Sequence, residues 1–227
     1  MKFKVNPKAI LAEFIGTFAL VFIGTGAAAQ VKDVGVVGVA FAHGLVIALF
    51  VYAYGPISGT HINPAVTLAL ALNKVIDWTE AIAYWVAQFL ASMVAAAALY
   101  VILGPARLKL GATMLASGVS WWQGLLIEVV LTFFLVTAVF HTAVSGRVKD
   151  FAGLIIGFTV VFCIFLGGPL TGAALNPARS FGPAIFTATF VPWYAIYLFG
   201  PLLGGVAAAF LYRYMGTGAK KPASGEG

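Results

Sequence analysis

Charged residues are the scarcest class in this sequence. Lys, Arg, Asp and Glu make up only 9% of its 227 residues, whereas 62% are hydrophobic. Soluble domains carry about 25% charged residues, so the composition argues against an ordinary soluble protein. Long apolar stretches with so few charges indicate a protein that crosses a membrane several times.

Cysteine is almost absent, because Cys163 is the single one. One cysteine excludes an internal disulfide and gives no cysteine cluster for a metal. We therefore expect neither a metal nor another cofactor. A cysteine in an apolar helix is most often a packing residue, and we interpret Cys163 in this way.

A cleavable signal is also not evident. The first residues, Met1-Lys2-Phe3-Lys4, lead into a long apolar run that we expect to be the first transmembrane helix. The net charge of +6 could suggest nucleic acid as a partner. The basic residues lie at the tails and loop edges, however, so we expect no nucleic acid and a lipid bilayer instead.

Six apolar stretches reach the roughly 20 residues that a membrane span needs. Two further stretches are too short, since ten residues at about 1.5 Å each give about 15 Å, half of a hydrocarbon core of about 30 Å. We predict two half-helices that meet inside the membrane, near residues 64–73 and 177–187. The six spans are predicted near residues 9–29, 36–55, 80–103, 121–142, 151–169 and 193–215.

The two halves of the sequence resemble each other. Glu13 in the first span corresponds to Glu128 in the fourth, within similar surroundings. Three spans per half is an odd number, so the second half must enter the membrane from the opposite side. We predict an inverted repeat, about residues 9–103 and 121–215 of a single domain spanning 1–227, with its site where the interrupted segments meet.

Small residues recur at corresponding places in the second and fifth spans. Ala40 and Gly44 correspond to Gly153 and Gly157. Such pairs let helices approach closely in a membrane, and we interpret them as helix packing.

Each short stretch opens with Asn-Pro-Ala, at Asn63-Pro64-Ala65 and at Asn176-Pro177-Ala178. Asn is a preferred helix N-cap, and Pro is favoured at the first helical position. A polar helix start in lipid is costly unless it lines a cavity. Two such starts predict one shared cavity.

Lys and Arg predict the orientation, because they are enriched on the cytoplasmic side. With both termini inside, nine of the 13 basic residues lie on the inner face, three lie outside, and Arg179 lies in the second half-helix. We expect a multi-pass protein of the plasma membrane with a disordered tail at residues 216–227. The inner group is Lys2, Lys4, Lys8, Lys74, Arg147, Lys149, Arg213, Lys220 and Lys221; the outer group is Lys32, Arg107 and Lys109.

Two motifs carry a family resemblance. The segment Ser58-Gly59-Thr60-His61-Ile62-Asn63-Pro64-Ala65-Val66 and the segment Asn176-Pro177-Ala178-Arg179-Ser180 resemble the two signature loops of the aquaporin (major intrinsic protein) family. The resemblance covers about residues 9–215. It implies an all-α membrane protein with the aquaporin-like fold, assembled as a homotetramer with one pore per subunit. It also implies passive water conduction and no enzymatic activity.

The paired Asn residues have a physical role in such a channel. Each half-helix start carries roughly half a positive charge, so two facing starts disfavour a cation between them. A water between Asn63 and Asn176 would accept from both amides and point its hydrogens away from them. That arrangement interrupts a proton-conducting chain of waters.

The loops before each Asn are expected to turn their carbonyls toward the pore. Glu13 and Glu128, the acids within apolar spans, would brace these loops by accepting from backbone N–H groups. Intramembrane acids are functional candidates, so ion coupling in a transporter is the alternative. The expected carbonyl residues are Gly59, Thr60, His61 and Ile62, and Gly172, Ala173, Ala174 and Leu175.

Arg179 is the one basic residue deep in a predicted membrane element. By position in the resembled family, it would line the narrowest point together with His43, Ile164 and Ala173. Water-selective members usually have Phe on the second span and His on the fifth, so this pore departs from their pattern. His43 with Ile164 resembles plant vacuolar-membrane members, several of which also pass ammonia. A packed core histidine is the alternative for His43.

The sequence favours a water channel over its rivals. Glycerol facilitators typically carry Asp where this chain has Ser180 and a basic residue where it has Ala184, whereas Leu198 stands where the water subgroup often has Trp. A glycerol or urea facilitator remains the main alternative. A secondary transporter and a structural junction protein are further alternatives.

Overall fold

A computed structural model describes residues 5–216, with the side chains of Leu110 and Trp193 left aside. Of the predicted disordered tail, 216–227, only Gly216 falls within this range. The predicted inner-face cations Lys2, Lys4, Lys220 and Lys221 lie outside the described residues.

The described residues form nine α-helices, of which six are long and apolar enough to cross a membrane. The six are α1 (Pro7–Ala29), α2 (Val31–Ser58), α4 (Trp78–Leu103), α6 (Trp121–Val139), α7 (Ala152–Thr171) and α9 (Ile196–Tyr214). The short helices are α3 (Pro64–Leu72), α5 (Pro105–Gly111) and α8 (Pro177–Thr187). A π-helical turn, Phe140–Val144, continues α6, and 3₁₀ turns at Lys149–Phe151 and Pro192–Ala195 precede α7 and α9.

The predicted six spans and two half-helices are confirmed, with shifted ends. Helix α2 is broken at Gly35, where φ is 68°, so its continuous part begins near the predicted residue 36 and a short helical turn from Val31 precedes it. Such a positive φ is readily adopted by glycine alone. Helix α9 begins at Ile196 rather than near residue 193, because the 3₁₀ turn comes first. Helix α5 was not predicted from the sequence.

The two half-helices begin as the Asn-Pro-Ala motifs predict. Asn63 Oδ1 accepts a hydrogen bond from Ala65 N at 2.9 Å, and Asn176 Oδ1 accepts one from Arg179 N at 3.1 Å. Pro64 and Pro177 occupy the first turns, where the missing N–H costs nothing. Each half-helix therefore has a side-chain cap at its N-terminus.

The helices pack in corresponding pairs from the two halves of the chain. Helix α1 packs on α4 as α6 packs on α9, and α3 lies against α9 as α8 lies against α4. Helices α2 and α7 cross at Gly44 and Gly157, where a Cβ atom on either glycine would come within 2.5 Å of the other's carbonyl oxygen. The predicted packing role of these two glycines is confirmed. Equivalent positions meet there, as an inverted repeat requires.

Large apolar side chains point outward along the spanning helices. Leu49 is 61% exposed, Phe158 is 51% exposed and Val101 is 84% exposed. Such a surface is unfavourable in water and suits lipid. The protein is therefore an integral membrane protein that crosses the bilayer several times.

Candidate functional site

The two Asn-Pro-Ala motifs hold each other in place. Asn63 Nδ2 donates to Leu175 O at 2.9 Å, and Asn176 Nδ2 donates to Ile62 O at 2.8 Å. Each Asn therefore ties its own half-helix to the loop before the other one. Ile62 and Leu175 are among the residues whose carbonyls were expected to face the pore. Their carbonyl oxygens accept these two hydrogen bonds. Each Asn amide keeps a second N–H.

The two loops share an unusual backbone conformation. Thr60 and Ile62 have φ values of 48° and 42°, and the corresponding Ala173 and Leu175 have values of 45° and 51°. A β-branched residue at positive φ is strained and persists only where its surroundings hold it. Strain at matching places indicates that both loops are held to one specific shape.

Glu13 provides that hold for the first loop. Its carboxylate accepts from His61 N at 2.8 Å, from Ile62 N at 2.6 Å and from the Ser58 hydroxyl at 2.8 Å. The Gln88 amide donates to it at 2.9 Å. Glu13 is fully buried, and these four donors replace the water that its carboxylate loses.

Glu128 does the same for the second loop. It accepts from Ala174 N at 2.9 Å, from Leu175 N at 2.8 Å and from the Thr171 hydroxyl at 2.7 Å. With their N–H groups bound on this side, the loop carbonyls are free to face the opposite side.

The loops border a narrow internal cavity of about 50 Å³. One water molecule needs at least about 10–15 Å³, so the cavity has room for a few. Its polar lining comes from the loops, both Asn residues, His43 and Arg179, and the remainder is apolar. The predicted site residues on its wall are His43, Gly59, Thr60, His61, Ile62, Asn63, Ile164, Ala173, Ala174, Leu175, Asn176 and Arg179.

A wider cavity of about 520 Å³ lies beyond the narrow one. His43, Ile164 and Arg179 line both cavities, so they lie between them, and we call these three residues the constriction. Gly172 lines only the wider cavity, and Ala173 only the narrow one. Pro64, Ala65, Pro177 and Ala178 line neither, because they lie buried within the half-helix starts.

His43 and Arg179 are in direct contact at the constriction. His43 Nδ1 donates to Val39 O at 2.9 Å, which leaves Nε2 as an acceptor. Arg179 Nε donates to that Nε2 at 3.4 Å. Arg179 Nη1 is buried and has no hydrogen-bond partner among the described residues. His43 thus has no free donor, whereas Arg179 Nη1 keeps N–H groups without a partner among the described residues.

Several residues that shape this site were not found from the sequence. Gly24 lies against His43, and a Cβ there would come within 2.5 Å of the imidazole ring. Gln88 and Thr67 extend the Glu13 network to His61, whose Nδ1 lies 3.1 Å from Thr67 Oγ1. Gln88 offered a signal, because a polar amide in an apolar span is costly unless it is bonded, whereas Thr67 and Gly24 are ordinary in such helices.

Cys163 and His141 lie away from both cavities. Cys163 is buried, donates to Leu131 O at 3.6 Å and lines neither cavity. His141 packs edge-on against Tyr212 at a centroid distance of 5.3 Å. Within residues 5–216, no group of three or more His, Cys, Asp or Glu side chains could hold a metal ion.

The sequence is similar to known channel proteins over almost its whole length. It matches the major intrinsic protein family over residues 1–212. It is 43% identical to "Glycerol uptake facilitator protein-like 6" of Lactiplantibacillus plantarum, covering 91% of this chain and 97% of that protein. It is 40% identical to "Aquaporin AqpM" of Methanothermobacter marburgensis, covering 92% and 97%.

A plant relative and a solved structure add to these matches. "Probable aquaporin TIP2-2" of rice is 39% identical, with 92% of this chain and 87% of that protein covered. The X-ray structure of the aquaglyceroporin from Plasmodium falciparum superposes with a TM-score of 0.77 at 22% identity, covering 92% and 95%. The structural likeness concerns the fold, and the sequence identities establish the family. The chain belongs to the major intrinsic protein family of membrane channels.

Proposed function

We propose that this channel conducts water passively, in single file, and excludes protons and other ions. The observation that carries the proposal is the narrow cavity that joins both Asn-Pro-Ala motifs to Arg179. Its volume suits water, and its lining combines polar groups of the loops, the Asn pair, His43 and Arg179 with apolar side chains. Passive conduction of water through this cavity would require no chemical step and no cofactor.

The lining supports rapid passage of water. We propose that the loop residues on the cavity wall offer their carbonyls as successive acceptors, at Gly59, Thr60 and His61 in the first loop and at Ala173 and Ala174 in the second; their place in the lining supports this. Much of the remaining lining is apolar, including Leu20, Ile47, Val66, Leu135 and Val160. A water molecule therefore finds a continuous but shallow set of hydrogen-bond partners.

The same arrangement supports exclusion of ions. Two helix N-termini meet at the Asn pair, and each contributes positive potential. The free N–H of each Asn amide can donate to a water oxygen there. The lone pairs of that water are then occupied, so it cannot accept a hydrogen bond from a neighbouring water. The hydrogen-bonded chain of waters along which a proton could move is interrupted there. The Arg179 guanidinium adds a fixed positive charge at the constriction.

The roles of Glu13 and Glu128 are best explained as bracing. Every carboxylate oxygen accepts from the loop it holds, and neither residue lines a described cavity. An ion-coupling acid would need access to the transported solute. This argues against a secondary transporter.

Ammonia is the second candidate substrate. His43 is smaller than the Phe, and Ile164 is less polar than the His, that water-selective members usually have at these positions, and both residues line the narrow cavity together with Ala173. The His43 side chain presents an acceptor only to Arg179. A small neutral solute such as ammonia could then pass with water. Glycerol and urea are larger, and the relative named as a glycerol facilitator makes glycerol a necessary comparison.

The arrangement of the protein in its membrane is also proposed. Both termini lie in the cytoplasm of a plasma-membrane homotetramer, each subunit has its own pore, and the chain is one domain of two inverted repeats. The bias of Lys and Arg toward one face supports the orientation, and the family resemblance supports the tetramer.

A solute panel in proteoliposomes tests these proposals. Purified protein is reconstituted, and water, ammonia, glycerol and urea fluxes are followed by stopped-flow measurement against empty liposomes. We expect fast water flux, a measurable ammonia flux and little glycerol or urea flux. Glycerol flux comparable with that of water would establish the facilitator alternative. Ammonia flux equal to that of empty liposomes would contradict the proposal that ammonia is a second substrate.

A further inference from the structure

Helix α8 is held by a hydroxyl from a neighbouring helix. Ser92 in α4 donates its Oγ hydrogen to Ala178 O, and the same oxygen accepts from Gly182 N at 3.0 Å. The Ser92 side chain is completely buried. A single side chain therefore contacts two backbone groups of the half-helix that carries Arg179.

These two backbone groups are neighbours in the hydrogen-bond pattern of α8. In an α-helix the carbonyl of Ala178 pairs with the N–H of Gly182, four residues later. The Ser92 hydroxyl thus lies beside one rung of the helical ladder. A Cβ at Gly182 would come within 2.2 Å of Ser92 O, so the backbones of α4 and α8 are in close contact there.

The turn between Ala178 and Gly182 needs external support. Pro183 has no N–H, so the carbonyl of Arg179 lacks the donor that a regular helix would place four residues later. Among the described side-chain hydrogen bonds of Arg179 is a long one, from Nε to His43 Nε2 at 3.4 Å. The position of the guanidinium therefore depends on how this turn is held.

The other half of the repeat has no such hydroxyl. Gly205 of α9 lies against Ala65 O, and a Cβ there would approach that oxygen to 2.8 Å. Ala65 occupies in α3 the place that Ala178 occupies in α8. Helix α3 carries no constriction residue. The hydroxyl is therefore present only beside the half-helix that carries Arg179.

We propose that Ser92 is a positioning residue for Arg179 and so sets the solute selectivity of the constriction. The hydroxyl fixes the depth and rotation of the first turn of α8 against α4. This inference rests on the proposed function, in which Arg179 limits what passes.

The test compares Ser92→Ala with Thr25→Val in proteoliposomes. Thr25 is also completely buried on a spanning helix, but its hydroxyl has no partner among the described residues and it lines neither cavity. The readout is the ratio of glycerol to water permeability at equal amounts of folded channel. We expect Ser92→Ala to change this ratio by about fivefold, equivalent to about 1 kcal/mol in relative barrier height, and Thr25→Val to leave it unchanged.

The ratio separates positioning from folding, because partial loss of folded protein lowers both fluxes equally. An unchanged ratio in Ser92→Ala overturns the inference while leaving the proposed function intact. If Ser92→Ala does not fold, Ser92→Cys replaces it, since a thiol of similar shape is a weak donor, and an unchanged ratio there overturns the inference equally. A parental channel without water flux overturns both proposals.

Discussion

At the constriction, Arg179 and His43 differ in the hydrogen-bonding groups that they leave unpaired. Both His43 nitrogens are used, one as a donor to Val39 O and the other as an acceptor from Arg179 Nε. The Arg179 guanidinium retains an unpartnered Nη1 among the described residues. The Arg179 side chain lines both cavities. A solute at this point therefore meets a side chain that can only donate and no free acceptor from these two residues, which favours molecules that can accept a hydrogen bond.

Gly24 controls the place of the His43 ring, which gives a prediction. In Gly24→Ala, the new methyl would lie 2.5 Å from the imidazole. The ring must therefore move away from α1. If this overpacking raises the barrier for water at the constriction by about 1 kcal/mol, the rate of water passage falls about fivefold. We expect water permeability per channel to fall by about that factor in a stopped-flow measurement.

Gly26→Ala is the matched control for this variant. It adds a methyl to the same helix, but the nearest atom is Leu99 Cδ2 at 3.3 Å, the end of a flexible side chain. We expect nearly parental water permeability. If both variants behave alike, the His43 ring is not limiting.

Mercury sensitivity tests the placement of Cys163. Its sulfur is buried and lines neither described cavity, whereas Ala173 lines the narrow one. We expect mercuric chloride to leave parental water flux unchanged. The variant Ala173→Cys should become blocked, and a thiol should reverse the block. Strong block of the parental protein would place Cys163 in contact with the conduction path.

At the scale of elements, the two re-entrant loops are built alike but supported differently. Both have an acid that accepts from two consecutive backbone N–H groups. The first loop has additional side-chain support, because Thr60 Oγ1 donates to Phe50 O at 3.0 Å and His61 Nδ1 lies 3.1 Å from Thr67 Oγ1, whereas the corresponding Ala173 and Ala174 have no polar side chain. In the second half, Ser180 and Tyr194 form a separate contact at 3.1 Å. The second loop therefore depends more on its acid.

This dependence predicts the effect of Glu128→Gln. The replacement keeps the shape but puts an NH₂ group where an acceptor stood, facing donors from Ala174, Leu175 and Thr171. Leaving one buried donor unsatisfied costs about 1–3 kcal/mol. We expect a lower unfolding temperature in detergent, measured by intrinsic fluorescence, together with loss of water flux.

Glu80→Gln serves as the control, because Glu80 accepts only from Tyr84 OH at 3.0 Å among the described contacts, and a Gln oxygen can accept in its place. Equal unfolding temperatures in Glu128→Gln and Glu80→Gln would contradict the bracing role.

The spanning elements could be predicted because hydropathy and length decide them. A run of about 20 apolar residues has few alternatives to a membrane helix, and Asn63-Pro64 and Asn176-Pro177 mark helix starts locally. Helix α5 and the π-helical turn at Phe140–Val144 could not be predicted in this way. Neither has a distinct local pattern, and both depend on packing against neighbouring helices.

The site was predictable where it rests on motifs and less so where it rests on tertiary contacts. Asn63, Asn176 and Arg179 stand out because polar groups in apolar segments are costly. Ser92 lies among small residues in α4 and reads as ordinary helix packing. Gly24 is likewise typical of ordinary helix packing in the sequence, and its contact with His43 is evident only in the structure.

At the scale of the whole molecule, the cavity lies between two halves that meet around Gly44 and Gly157. Each half contributes one loop, one Asn and one acid, so neither half could form the cavity alone. The cross-bonds of Asn63 to Leu175 and of Asn176 to Ile62 join the halves at the centre. The conduction path is thus a property of the complete repeat pair.

The proposed homotetramer can be tested independently of transport. Exposed aromatic residues along α7, such as Phe158 and Phe162, give an apolar face that either lipid or another subunit could cover. Native mass spectrometry from a mild detergent should give the mass of four 23.8 kDa chains. A mass of one chain under these conditions would contradict the tetramer.

The central claim is that one cavity conducts water while excluding protons. The most direct test measures osmotic water flux and proton flux in the same proteoliposomes, at several temperatures and protein contents. The account predicts water flux that rises with protein content and has a low activation energy, with proton flux equal to that of empty liposomes. Water flux no faster than in empty liposomes, or a proton leak that grows with protein content, would contradict it.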